Sequence, residues 1–175
     1  WGRYTFLGFD PTLELTCADG RLVIRNGGAE ERTVAHPGEA IREILAAHRS
    51  PRIEGLPTFT GGLVGYFSYD YIKYAEPNLR LDGADGDFRD VDLMLFDKVI
   101  AFDHYRQKII LIAGADAANL DASYERAAEE LEALAGLLTG GRAAAPQRLR
   151  LKAPLTPRFS EERYGSMVEK AKGYI

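Results

Sequence analysis

Short stretches of alternating apolar and polar residues run through the first part of the chain, and such alternation predicts β-strands. Residues 3–9 are rich in strand-forming residues, and the Asp10-Pro11 pair after them is typical of a turn. A tight hairpin is predicted at Asp19-Gly20, because this dipeptide suits a two-residue turn between antiparallel strands. The register of that hairpin gives two apolar cross-strand pairs and one ion pair: Cys17 with Leu22, Leu15 with Ile24, and Glu14 with Arg25.

Helical spacing of apolar residues begins after Pro37, a residue suited to a first helical turn, and ends before Pro51. A further helix is predicted to begin at Ser160. Its first turn carries Glu161 and Glu162, whose negative charge favours a helix N-terminus.

The clearest helix is predicted for residues 121–138, where Asp121 or Ser123 can cap the start and Gly140-Gly141 ends the run. Its apolar stripe is predicted to face the core, and it consists of Tyr124, Ala128, Leu131, Leu134 and Leu138.

A second long hairpin is predicted over residues 91–113, with strands at 93–102 and 108–113. The second strand reads IILIA, and this continuous apolar run predicts burial on both faces. Asp103-His104 lies at the predicted turn, so we interpret it as turn chemistry and not as part of a hydrolytic triad. The acidic residues Asp82, Asp85, Asp87 and Asp90 lie in the preceding loop, and they lack the spacing of a calcium loop. We therefore predict a solvated acidic loop, with cation binding as the alternative.

The stretch FTGGLVGYFSYDYIKYAEP, residues 59–77, is the most unusual in the chain, and it predicts a strand at 63–67 and a short helix at 69–76. Gly61, Gly62 and Gly65 match neither the dinucleotide fingerprint nor the phosphate-binding P-loop. We therefore expect them to permit positive φ angles and close backbone approach.

The tyrosines of this stretch are predicted to be core residues whose hydroxyl groups reach polar partners. The alternative is that they line a ligand pocket. Asp70 and Glu76 are predicted to be surface or capping carboxylates, with an acid/base pair as the alternative. The tyrosines are Tyr66, Tyr69, Tyr71 and Tyr74.

The order of elements predicts an α+β fold with a largely antiparallel sheet. We divide the chain into a domain at 1–141, a connector at 142–158 and a last helix at 159–175. A net charge of −4 argues against nucleic acid or an anionic membrane as a partner. The single cysteine, Cys17, and three scattered histidines argue against a disulfide framework or a transition-metal site.

Four segments together resemble anthranilate synthase component I. The glycine-rich stretch is similar to that family's pattern F-x-G-G-x-x-G-Y-x-x-Y-D, and the other segments occur in the same order as in the family. They are WGRYTFLGFDP at 1–11, VDLMLFDKVIAFDH at 91–104 and FSEERYGSMVEKAKGYI at 159–175.

The resemblance implies a parent enzyme of the cytoplasm that converts chorismate to anthranilate and pyruvate. That enzyme uses Mg²⁺ and takes ammonia from a glutamine amidotransferase subunit. Its catalytic residues lie in a chorismate-binding domain that would begin at the last helix here. We therefore expect this chain to be an N-terminal region that has no catalytic residue, cofactor or metal ligand of its own and that supports the missing domain.

The resemblance also implies part of an effector site for L-tryptophan, to which Arg3, Tyr4 and Thr5 would contribute. The family's Leu-Leu-Glu-Ser strand would lie upstream of Trp1, so we expect the site to be incomplete here. Two alternatives stay open: the matching region of aminodeoxychorismate synthase component I, and a free-standing ligand-binding module.

Overall fold

A computed structural model describes residues 2–76, 78–79, 88–141, 145 and 152–175 of the chain. The described residues form eight strands and four helices in two compact units, Trp1–Gly141 and Arg142–Ile175. The strands are β1 (Tyr4–Leu7), β2 (Leu13–Ala18), β3 (Arg21–Arg25), β4 (Ala29–Thr33), β5 (Gly62–Phe67), β6 (Val91–Phe96), β7 (Lys98–Asp103) and β8 (Lys108–Ala113). The helices are α1 (Gly38–Ala47), α2 (Ile72–Ala75), α3 (Leu120–Gly140) and α4 (Glu161–Lys172).

The strands of the first unit form two sheets in which every neighbouring pair is antiparallel. The smaller sheet has the order β1-β7-β8, and the larger has the order β4-β3-β2-β6-β5. The predicted α+β class with antiparallel sheets is therefore confirmed.

The hairpin of β2 and β3 has the predicted register, in which Cys17 lies opposite Leu22 and Glu14 lies opposite Arg25. Asp19 and Gly20 have φ angles of 48° and 77°. Positive φ at both central residues is what the right-handed twist of a two-residue hairpin requires.

The main core lies on one face of the larger sheet. Leu15 and Leu22 are completely buried there, and Ala40 and Ile41 of α1 pack in the same cluster. The amphipathic pattern after Pro37 thus forms a helix that covers this sheet. Burying a leucine side chain of this kind contributes about 1.5–3 kcal/mol.

The single strand predicted at 93–102 is wrong, because the chain divides at Asp97 into β6 and β7. Each of these two strands belongs to a different sheet. Leu95 and Phe96 are both buried, which interrupts the alternation of a single strand at this point. The polar pair Asp97-Lys98 marks the position where the chain leaves one sheet for the other.

The predicted burial of β8 on both faces is also wrong. β8 is the edge strand of the smaller sheet, and Ile109 in it is 52% exposed. One edge strand was not predicted at all: β4 reads AEERT and is exposed throughout. Its charged side chains suit an edge, because they disfavour pairing with another strand.

Helix α3 packs against β8, but only part of its predicted stripe faces inward. Leu134 is buried, whereas Tyr124 is 67% exposed and Leu138 is 40% exposed. The predicted N-terminal caps, Asp121 and Ser123, are wrong, because the helix begins earlier and Asn119 occupies the cap position. The predicted end at Gly140-Gly141 is confirmed, since the helix ends at Gly140 and Gly141 is the C-terminal cap. By contrast, the start of α4 is confirmed: the hydroxyl of Ser160 accepts a hydrogen bond of 3.2 Å from the backbone N–H of Arg163.

Candidate functional site

A two-point ion pair joins the start of the chain to the end of β7. Arg3 donates from Nε to Asp103 Oδ1 at 3.2 Å and from Nη2 to Asp103 Oδ2 at 2.8 Å. Asp103 also accepts hydrogen bonds from the backbone N–H groups of Tyr105 and Arg106, at 3.1 Å and 3.0 Å. The Arg3 guanidinium and these N–H groups hold the pKa of Asp103 well below its usual range, although burial opposes them.

An open cleft of about 500 Å³ lies beside this ion pair, lined by Gly2, Arg3, His104 and Tyr105. The Arg3 guanidinium carbon is 4.8 Å from the centre of the Tyr4 ring and 5.6 Å from that of Tyr105. These distances are in the range of cation–π contacts.

All three residues predicted to contribute to an effector site lie at or beside this cleft. Arg3 lines it, and the Tyr4 ring contacts the Arg3 guanidinium. Thr5 Oγ1 is 2.8 Å from His104 Nε2, so Thr5 fixes a side chain that lines the cleft. The guanidinium has five N–H groups, and the ion pair with Asp103 leaves some of them for an acidic ligand. Chemically, the cleft can bind a carboxylate beside an aromatic ring.

The three glycines of the unusual stretch lie immediately before β5, at its first residue and in its middle. Gly61, Gly62 and Gly65 have φ angles of 143°, 134° and 159°, which confirms the prediction of positive φ. A Cβ atom on Gly61 would lie 2.8 Å from the carbonyl oxygen of Phe96. A Cβ atom on Gly65 would collide with the carbonyl oxygen of Asp92. The glycines therefore allow β5 to approach the backbone of β6 closely.

The aromatic residues around these glycines do not all enter the core. β5 is the edge strand of the larger sheet, so the prediction of core burial is wrong for Tyr66, which is 38% exposed. It is also wrong for Tyr69, which is 85% exposed. Asp70 is half-buried and Glu76 is exposed. In the part of the chain that the structure describes, neither carboxylate has a hydrogen-bond partner, and no acid/base pair forms.

Tyr74 behaves as predicted, since its hydroxyl finds polar partners beneath the hairpin of β2 and β3. It donates to Asp90 Oδ2 at 2.7 Å and accepts from the backbone N–H of Gly20 at 2.8 Å. Lys73 Nζ lies 2.8 Å from Asp90 Oδ1 and 2.6 Å from Asp19 Oδ1. Together these contacts fix α2 to the hairpin turn.

Asp90 is only 3% exposed, so the prediction that it is part of a solvated acidic loop is wrong. Burial acts to raise the pKa of Asp90. The hydrogen bonds from Lys73, Tyr74 and the N–H of Asp19 outweigh burial and hold it below its usual value. Burial is the main cause that raises the pKa of the Tyr74 hydroxyl. The other acidic positions of this loop, Asp82, Asp85 and Asp87, lie outside the described residues.

The family model described as "chorismate binding enzyme" matches residues 2–175. The chain belongs to the chorismate-binding enzyme family. Anthranilate synthase component 1 of Acinetobacter calcoaceticus is 35% identical over 186 residues, which cover 100% of this chain and 36% of that protein. Anthranilate synthase component 1 of Pseudomonas aeruginosa is 32% identical, over 100% of this chain and 37% of the relative.

A solved member of this family has the same fold. The crystal structure of anthranilate synthase component I from Streptococcus pneumoniae TIGR4 superposes with a TM-score of 0.68 at 26% identity. The match covers 99% of this chain and 38% of that one. The resemblance to anthranilate synthase component I is thus confirmed, and the chain spans just over a third of the length of the relatives it matches.

Among the described residues, no group of three or more His, Cys, Asp or Glu side chains could hold a metal ion. None of the helices in the described ranges is long and apolar enough to cross a membrane. The buried carboxylates, Asp90 and Asp103, are already paired with Lys73 and Arg3.

Proposed function

We propose that the chain is part of an anthranilate synthase component I, which converts chorismate to anthranilate and pyruvate for tryptophan biosynthesis in the cytoplasm. The observation that carries this proposal is the match of relatives with that name along the entire chain. The words "component 1" in those names support a second component, which we propose to be a glutamine amidotransferase subunit that supplies ammonia. Mg²⁺ would be bound by residues other than those described here.

Within that enzyme, this region would support the chorismate-binding part without supplying reacting groups. Both buried carboxylates are neutralised by a cation, and each makes further hydrogen bonds that would be lost if it transferred a proton. Such satisfied pairs favour a structural role over general acid or base catalysis.

The same region would contribute Arg3, Tyr4 and Thr5 to an effector site for L-tryptophan. The support for this is the cleft beside β1, where a guanidinium can receive a carboxylate and two aromatic rings can contact an indole. Tyr105 would belong to the same site, because its ring is 81% exposed and contacts Arg3.

The test uses the protein encoded by the complete gene, incubated with chorismate, ammonia and Mg²⁺, with anthranilate measured by its fluorescence. We expect anthranilate from the complete protein and none from residues 1–175 alone. Aminodeoxychorismate as the product would replace this proposal with the folate-pathway alternative. Anthranilate formation by residues 1–175 alone would show that the supporting role is wrong.

The effector site is tested by the tryptophan concentration that halves this activity. We expect Tyr105→Ala to raise that concentration about tenfold, because the contact between the Tyr105 ring and the ligand is lost. A tenfold change corresponds to about 1.4 kcal/mol of binding free energy. Tyr69→Ala is the matched control, since Tyr69 is 85% exposed and does not line the cleft. Equal inhibition of both variants would remove Tyr105 from the site. Calorimetry with residues 1–175 alone should detect weak tryptophan binding or none.

A further inference from the structure

The connection between α1 and β5, residues 48–61, encloses a pocket of about 260 Å³. Irregular connections longer than about 12–15 residues are uncommon in compact domains, and they usually have a function. This one has internal order: the N–H of Leu56 donates to the carbonyl of Ile53 at 3.2 Å, and Pro57 is buried. The pocket lies apart from the cleft at Arg3, since the two have no lining residue in common.

Four of the residues that line this pocket have side chains that can donate hydrogen bonds, and they are Ser50, Arg52, Thr58 and Thr60. Within the described part of the chain, none of these four side chains has a hydrogen-bond or ion-pair partner. No Asp or Glu is among the lining residues. The pocket therefore presents one positive charge and several donors that no group of the protein satisfies.

The same pocket is also lined by apolar side chains, those of Ile53, Leu56 and Pro57. A ligand that contacts both the donors and the apolar residues has an anionic head and a compact apolar body. The volume is slightly below the range of about 300–1,000 Å³ that holds drug-sized ligands, so the ligand must be small.

We propose that this pocket binds a small organic carboxylate, with its carboxylate on Arg52 and the hydroxyl groups and its apolar body against Ile53 and Leu56. A guanidinium suits this task, because its planar N–H groups match the two oxygens of a carboxylate. This binding site goes beyond the proposed function and depends on neither its reaction nor its effector.

The experiment is an NMR titration of the 175-residue chain, with benzoate as the organic carboxylate and inorganic phosphate as a second probe. We expect benzoate to cause saturable shifts of backbone amide signals confined to residues 48–61, with weaker binding of phosphate. If phosphate binds and benzoate does not, the apolar lining residues have no role and the proposal is wrong. Absence of saturable shifts with both probes also overturns it.

Arg52→Gln is the deciding variant, and Arg49→Gln is its matched control. Arg49 lies three positions away and is also exposed, but it does not line the pocket. We expect Arg52→Gln to weaken benzoate binding at least about tenfold, because charge-assisted hydrogen bonds are lost. Arg49→Gln should bind within about twofold of the unmodified chain, since it changes only long-range, screened electrostatics. Equal weakening in both variants would mean nonspecific attraction to positive charge. Dispersed amide spectra in both variants check that they are folded.

Discussion

Tyr74→Phe removes one hydroxyl group that donates to Asp90, accepts from the N–H of Gly20 and lies 3.5 Å from Cys17 Sγ. A hydrogen bond to a charged group contributes about 1.5–3 kcal/mol, and one between neutral groups contributes about 0.5–1.5 kcal/mol. The bonds to Asp90 and Gly20 together contribute about 2–4.5 kcal/mol, and we expect the lower half of that range because Tyr74 is only half-buried. The melting temperature of a chain of this size should fall by roughly 2–4 °C per kcal/mol.

The assay is urea unfolding at neutral pH, followed by circular dichroism, with the free energy of unfolding obtained from the midpoint and slope. Tyr69→Phe is the control, because Tyr69 is 85% exposed and its hydroxyl has no partner among the described residues. We expect Tyr69→Phe to stay within about 0.5 kcal/mol of the unmodified chain. If Tyr74→Phe also stays within that margin, the hydroxyl network does not stabilise the fold and our reasoning about it fails.

Gly61→Val should lower the melting temperature by several degrees, because backbone strain costs about 1–3 kcal/mol and the new Cβ would press on Phe96. Gly28→Val is the control in the same thermal scan, because no atom lies near the position of its new Cβ. Equal melting temperatures of the two variants would show that the contact with Phe96 does not destabilise the fold. The pKa of Asp103 in the folded chain lies below its unfolded value of about 3.9. The ionised carboxylate therefore stabilises the fold fully above about pH 3.9, and this stabilisation is lost as the pH falls through the folded-state pKa. Asp103→Asn should therefore lower the urea midpoint at neutral pH. It should also make the urea midpoint fall less as the pH is lowered into the acid range. If the midpoint of the variant falls with pH as steeply as that of the unmodified chain, the ion pair with Arg3 contributes no pH dependence.

Features specified by neighbouring residues could be predicted from the sequence. The hairpin register follows from Asp19-Gly20 and the alternation beside it, and the positive φ angles follow from the glycines of β5. Both depend on backbone sterics within a few residues. The start of α4 is also specified by neighbouring residues, which are Ser160 and the two glutamates of the first turn.

Features that depend on distant partners could not be predicted in the same way. Arg3 and Asp103 were each singled out, but nothing in the pattern joins two residues that are 100 positions apart. Asp90 resembles the other aspartates of its loop, and its buried carboxylate depends on distant partners, which are Lys73, Tyr74 and the N–H of Asp19. Periodicity also does not distinguish edge strands from central ones, which is why β8 was predicted to be buried.

The pocket in the 48–61 connection was missed for a related reason. The sequence predicts a proline-containing loop at 49–58 but no pocket within it. Arg52 and Thr60 line the same pocket, and the chain turns between them at Gly55, which has a φ of 87°. A long proline-containing connection with several donors and few acidic residues is the signal that could have drawn attention to it.

The pairing of β1 with β7 also sets an order of events during synthesis. The hairpin of β2 and β3 can form as soon as residue 25 is free, whereas β1 must wait for residue 103. At about 5–20 residues per second, that wait is about 4–16 seconds. Closing a loop of about 100 residues also costs roughly 2 kcal/mol more than closing one of about 10. We therefore expect the smaller sheet to form later than the larger one, with the apolar side chains of β1 exposed to chaperones until it does.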